Sequence, residues 1–533
     1  MSHALVVNDL HFGWPEGAVL FDGLSFAVGS GRTGLVGANG SGKSTLFRLV
    51  TGDLTPQAGS VTIAGTVGYL RQDLTLDAGL PIDEVLGIAG VRSALRAIES
   101  GDVADAHFAA VGDDWDVDER ARATLDRLGL AHVDLDRRVG ELSGGEAVLL
   151  GLAAQFLRRP DVLLLDEPTN NLDLDARRRL YDGIAAWTGV MLVVSHDRDL
   201  LERVDAIAEL RGGQVRVFGG NLAAYEEAIT VEQGAAERGV RAAESDVRRQ
   251  QRELIEAQTK HSRRERYGKK GLENTRKPRA VIRGEKRVAQ VSAGKHRIMH
   301  AEKLDEARER LAEAEKAVRD DAEIVVDLPQ TAVPSGRTVL TVEGAELRCG
   351  PTIDLVLRGP ERVALLGANG AGKTTLLETI TGRLAPVSGR VRAAVPSRYL
   401  PQRLTVLDDA ETIVDNLGRM APTATDFEIR SRLARFLFRG DRADQVVGTL
   451  SGGERFRATV AALLLSEPPP QLLLLDEPTN NLDLASVRQL SEALTAYEGA
   501  LIVASHDVAF LRTLGITRWL RLDGTLSDVD EPG

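Results

Sequence analysis

The 533-residue chain contains a single cysteine, Cys349. One thiol can neither close an intramolecular disulfide nor build a thiolate zinc cluster. Aromatic residues make up only 4% of the chain, and no run reaches the ~18 consecutive apolar residues of a membrane-crossing helix. The most apolar stretch, Thr459 to Leu475, is broken by Glu467 and by Pro468, Pro469 and Pro470. The opening MSHALVVNDLHFGW lacks a basic segment followed by an apolar one, so no secretory signal is expected and the expected location is cytoplasmic. Lysine is scarce, ten residues against 56 arginines, a bias expected of a high-GC bacterial genome.

Positive charge is also short overall, with a formal net charge of -12. The few lysines are not spread evenly. Between Lys260 and Lys303, fifteen Lys or Arg stand against four Glu, a local balance of +11 that leaves -23 for the remainder. Seven of the ten lysines lie in these forty-four residues. The chain is too long for one core, since domains commonly hold roughly 100–200 residues. Its 43% hydrophobic and 27% charged residues suit soluble globular domains.

Much of the chain is written twice. GLVGANGSGKSTL (34–46) returns as ALLGANGAGKTTL (364–376), and YLRQ ending at Gln72 returns as YLPQ ending at Gln402, both at an offset of 330. The LSGGE serines Ser143 and Ser451 are 308 apart; Asp166 and Asp476, and His196 and His506, are 310 apart. Two homologous halves therefore flank a linker. The drop in offset places 22 surplus residues in the first copy between Gln72 and Ser143. Their helical spacing predicts a short hairpin over roughly 88–112.

Each copy carries the parts of a phosphate site. Gly37, Asn39, Gly40, Gly42, Lys43, Ser44 and Thr45 follow the apolar run TGLV and precede a helical pattern. Strand, glycine-rich loop and helix in that order turn backbone N–H groups toward phosphates. The lysine then reaches the β/γ oxygens and the hydroxyl reaches Mg²⁺. Gly367, Asn369, Gly370, Gly372, Lys373, Thr374 and Thr375 repeat the arrangement. VLLLDEP and LLLLDEP read as buried parallel strands ending in paired acids. Asp166 and Asp476 suit Mg²⁺, while Glu167 and Glu477 are placed to polarise an attacking water. His196 and His506 each follow an apolar strand, thirty residues beyond Asp166 and Asp476 respectively, and are expected to be catalytic.

Together these motifs resemble the ATP-binding cassette superfamily. DEPTNNLD, the SHD histidines, tandem cassettes without membrane helices and a charged linker narrow the resemblance to the ABC-F family of ribosome-binding translation ATPases. FGGNLAAYEEA (218–228) resembles that family's entrance to its linker, and the 22-residue surplus a short form of its arm. The resemblance implies an α/β fold of two tandem P-loop NTPase cassettes, 1–224 and 338–533, joined by an antiparallel helical hairpin linker, 225–337. It implies a monomer that sandwiches two ATP molecules with Mg²⁺. Lys43 and Glu167 would share one site with Ser451, Gly452 and Gly453; Lys373 and Glu477 would share the other with Ser143, Gly144 and Gly145. Gln72 and Gln402 would contact nucleotide and Mg²⁺. The chain departs from the family at Asn171 and Asn481, where His is common, and at Ala147 after the first LSGGE, where Arg455 follows the second. Trp14 is expected to stack on adenine; the matching segment of the second copy offers Cys349 and no aromatic, so unequal sites are expected.

In the linker, Val240, Ala243, Val247, Leu254 and Ala257, then Leu304, Ala307, Leu311, Ala314 and Val318, form two apolar stripes. A leading helix of about 34 residues would project ~50 Å. Gly268, Gly271, Pro278 and Gly284 are expected to interrupt helix and make 260–303 a basic tip. Solvated helices mix charge signs, so a +11 excess points to nucleic acid. The expected contacts are Lys260, Arg263, Arg264, Arg266, Lys269, Lys270, Arg276, Lys277 and Arg279, with Tyr267 and His261 stacking on bases. Within the family the targets would be 23S rRNA and P-site tRNA, reached from the tRNA exit site toward the peptidyl-transferase centre. Ribosome protection against antibiotics and general translation control both fit. A transporter ATPase subunit would leave the basic hairpin without a task, and a DNA-repair ATPase usually has a longer coiled coil or a zinc module.

Overall fold

In each half, three short apolar strands end at one level, and that level is where the polar motifs begin. The structure is a computed structural model describing residues 4–272 and 299–532, apart from 16, 18, 73–76, 171, 301, 316–327, 403 and 481. The chain divides into two units, Met1–Ala223 with Glu323–Gly533, and Ala224–Ala322.

In the first cassette a six-stranded sheet runs Val67–Leu70, Val162–Asp166, Val190–Val194, Gly31–Val36, Ala206–Arg211, Gln214–Gly219, parallel except for the last strand. The strands Val162–Asp166 and Val190–Val194 are buried at every position, which is why they read as unbroken apolar runs. In register, Asp166 lies opposite Val194, and Val194 opposite Leu35. The carboxyl ends of these three strands thus deliver Asp166-Glu167, His196 and the Gly37 loop to one edge, where ligands of parallel sheets bind. The second cassette repeats the order with Ser397–Leu400, Leu472–Asp476, Ala500–Ala504, Arg362–Leu366, Arg518–Asp523 and Thr525–Val529. A three-stranded antiparallel sheet, Val19–Val28, Leu5–Gly13, Ala58–Ile63, shares a core with the loop's helix through Phe21, Leu46 and Phe47. Its counterpart is Thr352–Arg358, Thr338–Glu346, Ser388–Ala393.

Within the first cassette's surplus segment, Ala89–Glu99 and Asp105–Val111 are helices. Arg92, with its side chain 4% exposed, donates to Asp83 (2.7 Å), Asp118 (2.9 Å) and Asp136 (2.9 Å), tying this segment to the body of the cassette. Removing the cation would strand Asp83, itself largely buried. We expect Arg92→Met to lower stability by about 3 kcal/mol. The check is the urea midpoint of the first cassette by fluorescence of Trp115 and Trp187; adding Asp83→Leu should recover part of the loss.

The second unit opens on a 51-residue helix, Leu222–Leu272, which reaches ~75 Å at 1.5 Å per residue. This corrects the expectation of a 34-residue helix broken by glycine: the helix runs on through Gly268 and Gly271. A glycine costs a helix interior only about 1 kcal/mol, and propagation of a formed helix is cooperative, so two isolated glycines do not stop it. Residues 302–315 are also helical. Leu304 and Ala307 are buried, and Arg310 Nη1 meets Asp246 Oδ2 at 3.3 Å, so the two helices lie side by side. Arg276, Lys277, Arg279, Pro278 and Gly284 lie outside the described residues.

Candidate nucleotide sites

The phosphate loops are built by glycines in conformations other residues avoid. Gly40 has φ 79° and Gly42, which starts the helix Lys43–Val50, has φ 100°; Gly370 and Gly372 match at 79° and 101°. At Gly37 and Gly367 a Cβ would fall 2.5 Å from the carbonyl oxygens of Leu210 and Leu522. Only glycine therefore allows the loop to lie this close to the sheet. Lys43 Nζ donates to Gly37 O (2.8 Å) and Ala38 O (3.1 Å); Lys373 Nζ donates to Gly367 O (2.7 Å) and Ala368 O (3.2 Å). Burial lowers the pKa of both lysines, and nearby carboxylates oppose it. A phosphate placed in the loop offers these ammonium groups better partners than neutral carbonyls.

Asp166 accepts from the Tyr69 hydroxyl at 3.2 Å, and Asp476 from Tyr399 at 3.1 Å. Thr374 also hydrogen-bonds Asp476. Sequence reasoning gave the two tyrosines no role, although YLRQ and YLPQ recur at the same offset as the loops. The residues that follow the two aspartates, Glu167 and Glu477, hold left-handed backbone at φ 48° and 45°. Such strain in a non-glycine residue clusters at functional sites, and here it occurs twice at the same repeat position. Glu167 Oε1 lies 3.2 Å from His196 Nε2, and Glu477 Oε1 3.4 Å from His506 Nε2. His506 Nε2 also lies 3.0 Å from Lys373 Nζ, which makes that nitrogen the acceptor of the ammonium's proton. Burial pushes the Glu477 carboxyl up to about 7 and the His506 imidazole down to about 3. The first pair moves in the same directions for the same cause. A buried carboxyl with a raised pKa beside a neutral imidazole is suited to taking a proton from water.

The two cassettes meet at these loops. Asn39 N donates to Asp483 Oδ2 across the chain at 3.0 Å, while Asp483 Oδ1 caps the helix Leu484–Thr495. Gly453, of the second LSGGE, lies close to the same aspartate and to Ser486. In the other direction Asp173 adds its charge to the surroundings of Lys373. A cavity of about 110 Å³ is lined by Leu172 and Arg177 of the first cassette with Asn369, Gln402, Glu477, Asn480 and His506 of the second. Gly145 packs near Leu172. Ser143 and Ser451 cap their helices, each hydroxyl donating to the glutamate three residues on, Glu146 at 2.7 Å and Glu454 at 2.8 Å. Gly144 and Gly452 open those helices, with open space beside each.

Gln72 is exposed beyond the strand Val67–Leu70, and Ser44 and Thr45 lie in the first turn of the loop helix. Trp14 is 43% exposed and packs against Phe12 at an interplanar angle of 83°. Cys349 packs against Gly372, so a thiol rather than a ring borders the second loop. Asn171 and Asn481 lie outside the described residues. A hydroxyl, an aspartate and a glutamine beside a phosphate loop form the hard oxygen donor set of Mg²⁺. The Thr374–Asp476 hydrogen bond shows two of these donors already converging, so the residues fit that ion.

Residues 21–170 and 352–480 match the family described as ABC transporter. The chain is 34% identical over 532 residues to the tylosin resistance ATP-binding protein TlrC of Streptomyces fradiae, covering 92% of each. The chain belongs to the ABC-F family of tandem ATP-binding cassette proteins. It is also 32% identical over 524 residues to the probable ATP-binding protein YheS of Escherichia coli K12, covering 93% of this chain and 75% of YheS. The solved structure named RNase-L Inhibitor shares the fold at a TM-score of 0.58 and 19% identity, covering 99% of this ABC-F chain and 90% of its own. Among the described residues, no helix of this ABC-F protein is long and apolar enough to cross a membrane.

Proposed function

We propose that this ABC-F protein hydrolyses ATP, binds the ribosome near the tRNA exit site, and protects it from antibiotics through its interdomain linker. The observation that carries the reading is the pairing of two nucleotide sites, each with a buried strained glutamate, with a linker segment of charge +11 in an otherwise acidic chain. The similarity to TlrC, named for tylosin resistance, favours protection over general translation control.

Lys43 and Lys373 would hold the terminal phosphates, with Trp14 against adenine in the first site. Ser44 and Asp166, and Thr374 and Asp476, with Gln72 and Gln402 nearby, would hold Mg²⁺, which neutralises phosphate charge when bound. Glu167 and Glu477 would each take a proton from the attacking water, with His196 and His506 beside them and the His506 backbone N–H, which donates to Glu477 Oε2 at 3.3 Å, orienting that carboxyl. Contacts such as Asn39–Asp483 would make closure of the cassettes depend on nucleotide in both loops. Closure would set the affinity for the ribosome, and hydrolysis would release it, because only differential affinity for the two states can shift the equilibrium. The linker's basic residues would contact 23S rRNA and P-site tRNA. The direct check is release of a radiolabelled macrolide from 70S ribosomes. ATP-dependent loss of bound drug on adding the protein is expected. Drug that stays bound while the protein occupies the same ribosomes would contradict protection and leave translation control.

A further inference from the structure

Beyond Trp14 and Cys349, the two nucleotide sites differ by a buried arginine. Arg177 lies on the helix Leu174–Ala185 of the first cassette, with its side chain 12% exposed. Nε donates to Leu172 O at 3.2 Å and Nη1 to Asp197 Oδ2 at 3.1 Å; the Tyr181 hydroxyl donates to the same carboxylate at 2.8 Å. These bonds hold the guanidinium to its own cassette at the cassette boundary. It lines the cavity that also holds Glu477, His506 and Gln402 of the second. Its charge is felt by Glu477 and Asp507 as well as by Asp197.

The repeat offset of 310 maps Asp173 to Asp483 and Asp197 to Asp507, but Arg177 to Val487 and Tyr181 to Ser491. Val487 is buried and carries no charge. Val487 packs into the core of the second cassette, so this repeat position gives the Lys43–Glu167 site no counterpart of the cation beside Glu477. We infer that Arg177 is a positioning residue acting across the cassette boundary, which aligns Glu477 and His506 and makes hydrolysis at the second site depend on docking of the first cassette. The inference rests on the ATPase reading above. Arg is suited to the task because its planar fork bonds the first cassette's carbonyl and carboxylate and still presents charge beyond them. As it travels with the first cassette, separation of the cassettes withdraws it from Glu477. At the equivalent position of the second cassette, Val487 offers the first site no cation to lose.

The test is single-turnover cleavage of radiolabelled ATP in the full chain, which needs one closure only. In a Glu167→Gln background, where the second site does the cleaving, Arg177→Met should slow cleavage at saturating ATP by roughly 10- to 100-fold. The ATP concentration giving half-maximal cleavage should move less than about twofold, and Arg177→Lys should restore part of the rate. In a Glu477→Gln background the same substitution should cost at least about tenfold less. Arg177→Met leaves Asp197 buried without its cation, so Arg177→Met/Asp197→Asn serves as the neutral-pair control for folding. The exchange Arg177→Val/Val487→Arg should move the sensitivity toward the first site. Equal losses in both backgrounds, or loss through nucleotide affinity alone, would overturn the positioning role. Failure of the unsubstituted protein to cleave ATP would instead reject the ATPase reading itself.

Discussion

Glu167→Gln/Glu477→Gln should bind ATP as the unsubstituted protein does and release phosphate at least about 100-fold more slowly, the usual contribution of a general base. Gln keeps the shape and the hydrogen-bonding oxygen of the carboxylate but cannot accept a proton. Both positions sit in left-handed backbone, which Gln meets with the same strain, so the substitution should not reshape the loop. Nucleotide affinity should persist because Lys43, Lys373 and the loop N–H groups are untouched. The protein should accumulate in its closed form, since the step that separates the cassettes is lost. Phosphate release and binding of a fluorescent ATP analogue measure the two halves of this expectation. Turnover at the unsubstituted rate would remove both glutamates from the mechanism.

Neutralising Lys269, Lys270, Arg276 and Lys277 should weaken ribosome binding and flatten its salt dependence. Each phosphate contact contributes roughly 0.7 to 0.9 to the slope of log affinity against log salt, so four lost contacts lower that slope by about 3. Between ~50 and ~200 mM salt, the unsubstituted protein should then lose about 60-fold more affinity than the variant. Basal ATPase should stay near its original rate, because the four residues lie in the linker and outside both loops. Equal loss of binding and hydrolysis would make the basic segment a structural part. The acidic remainder of the chain, at -23, would confine the proposed contact with RNA to this segment.

The fold was legible wherever one local pattern permits one geometry. A glycine-rich loop between an apolar run and a helix, repeated at a fixed offset, gave both strand–loop–helix turns. LLLLD ending in two acids gave a buried parallel strand with both acids at its carboxyl end. What sequence could not supply depends on contacts between distant segments. Nothing local marks Glu167 and Glu477 as left-handed, for glutamate seldom adopts that backbone. Tyr69 and Tyr399 stand inside a visible repeat, but their bonds to Asp166 and Asp476 come from strand order. Arg177 falls in a helix of ordinary composition, and its meaning appears only where it borders Glu477 of the other cassette. The linker helix shows the opposite error: Gly268 and Gly271 carry weak local signals that helix cooperativity overrides.

Nucleotide-gated ribosome binding is tested most simply by cosedimentation of Glu167→Gln/Glu477→Gln protein with 70S ribosomes, with and without ATP, across a salt series. Pelleting should require ATP and fade as salt rises if, as proposed, closure sets the affinity and the basic linker segment supplies the contacts. Protein that stays in the supernatant under every condition, while binding ATP normally, would contradict this mechanism.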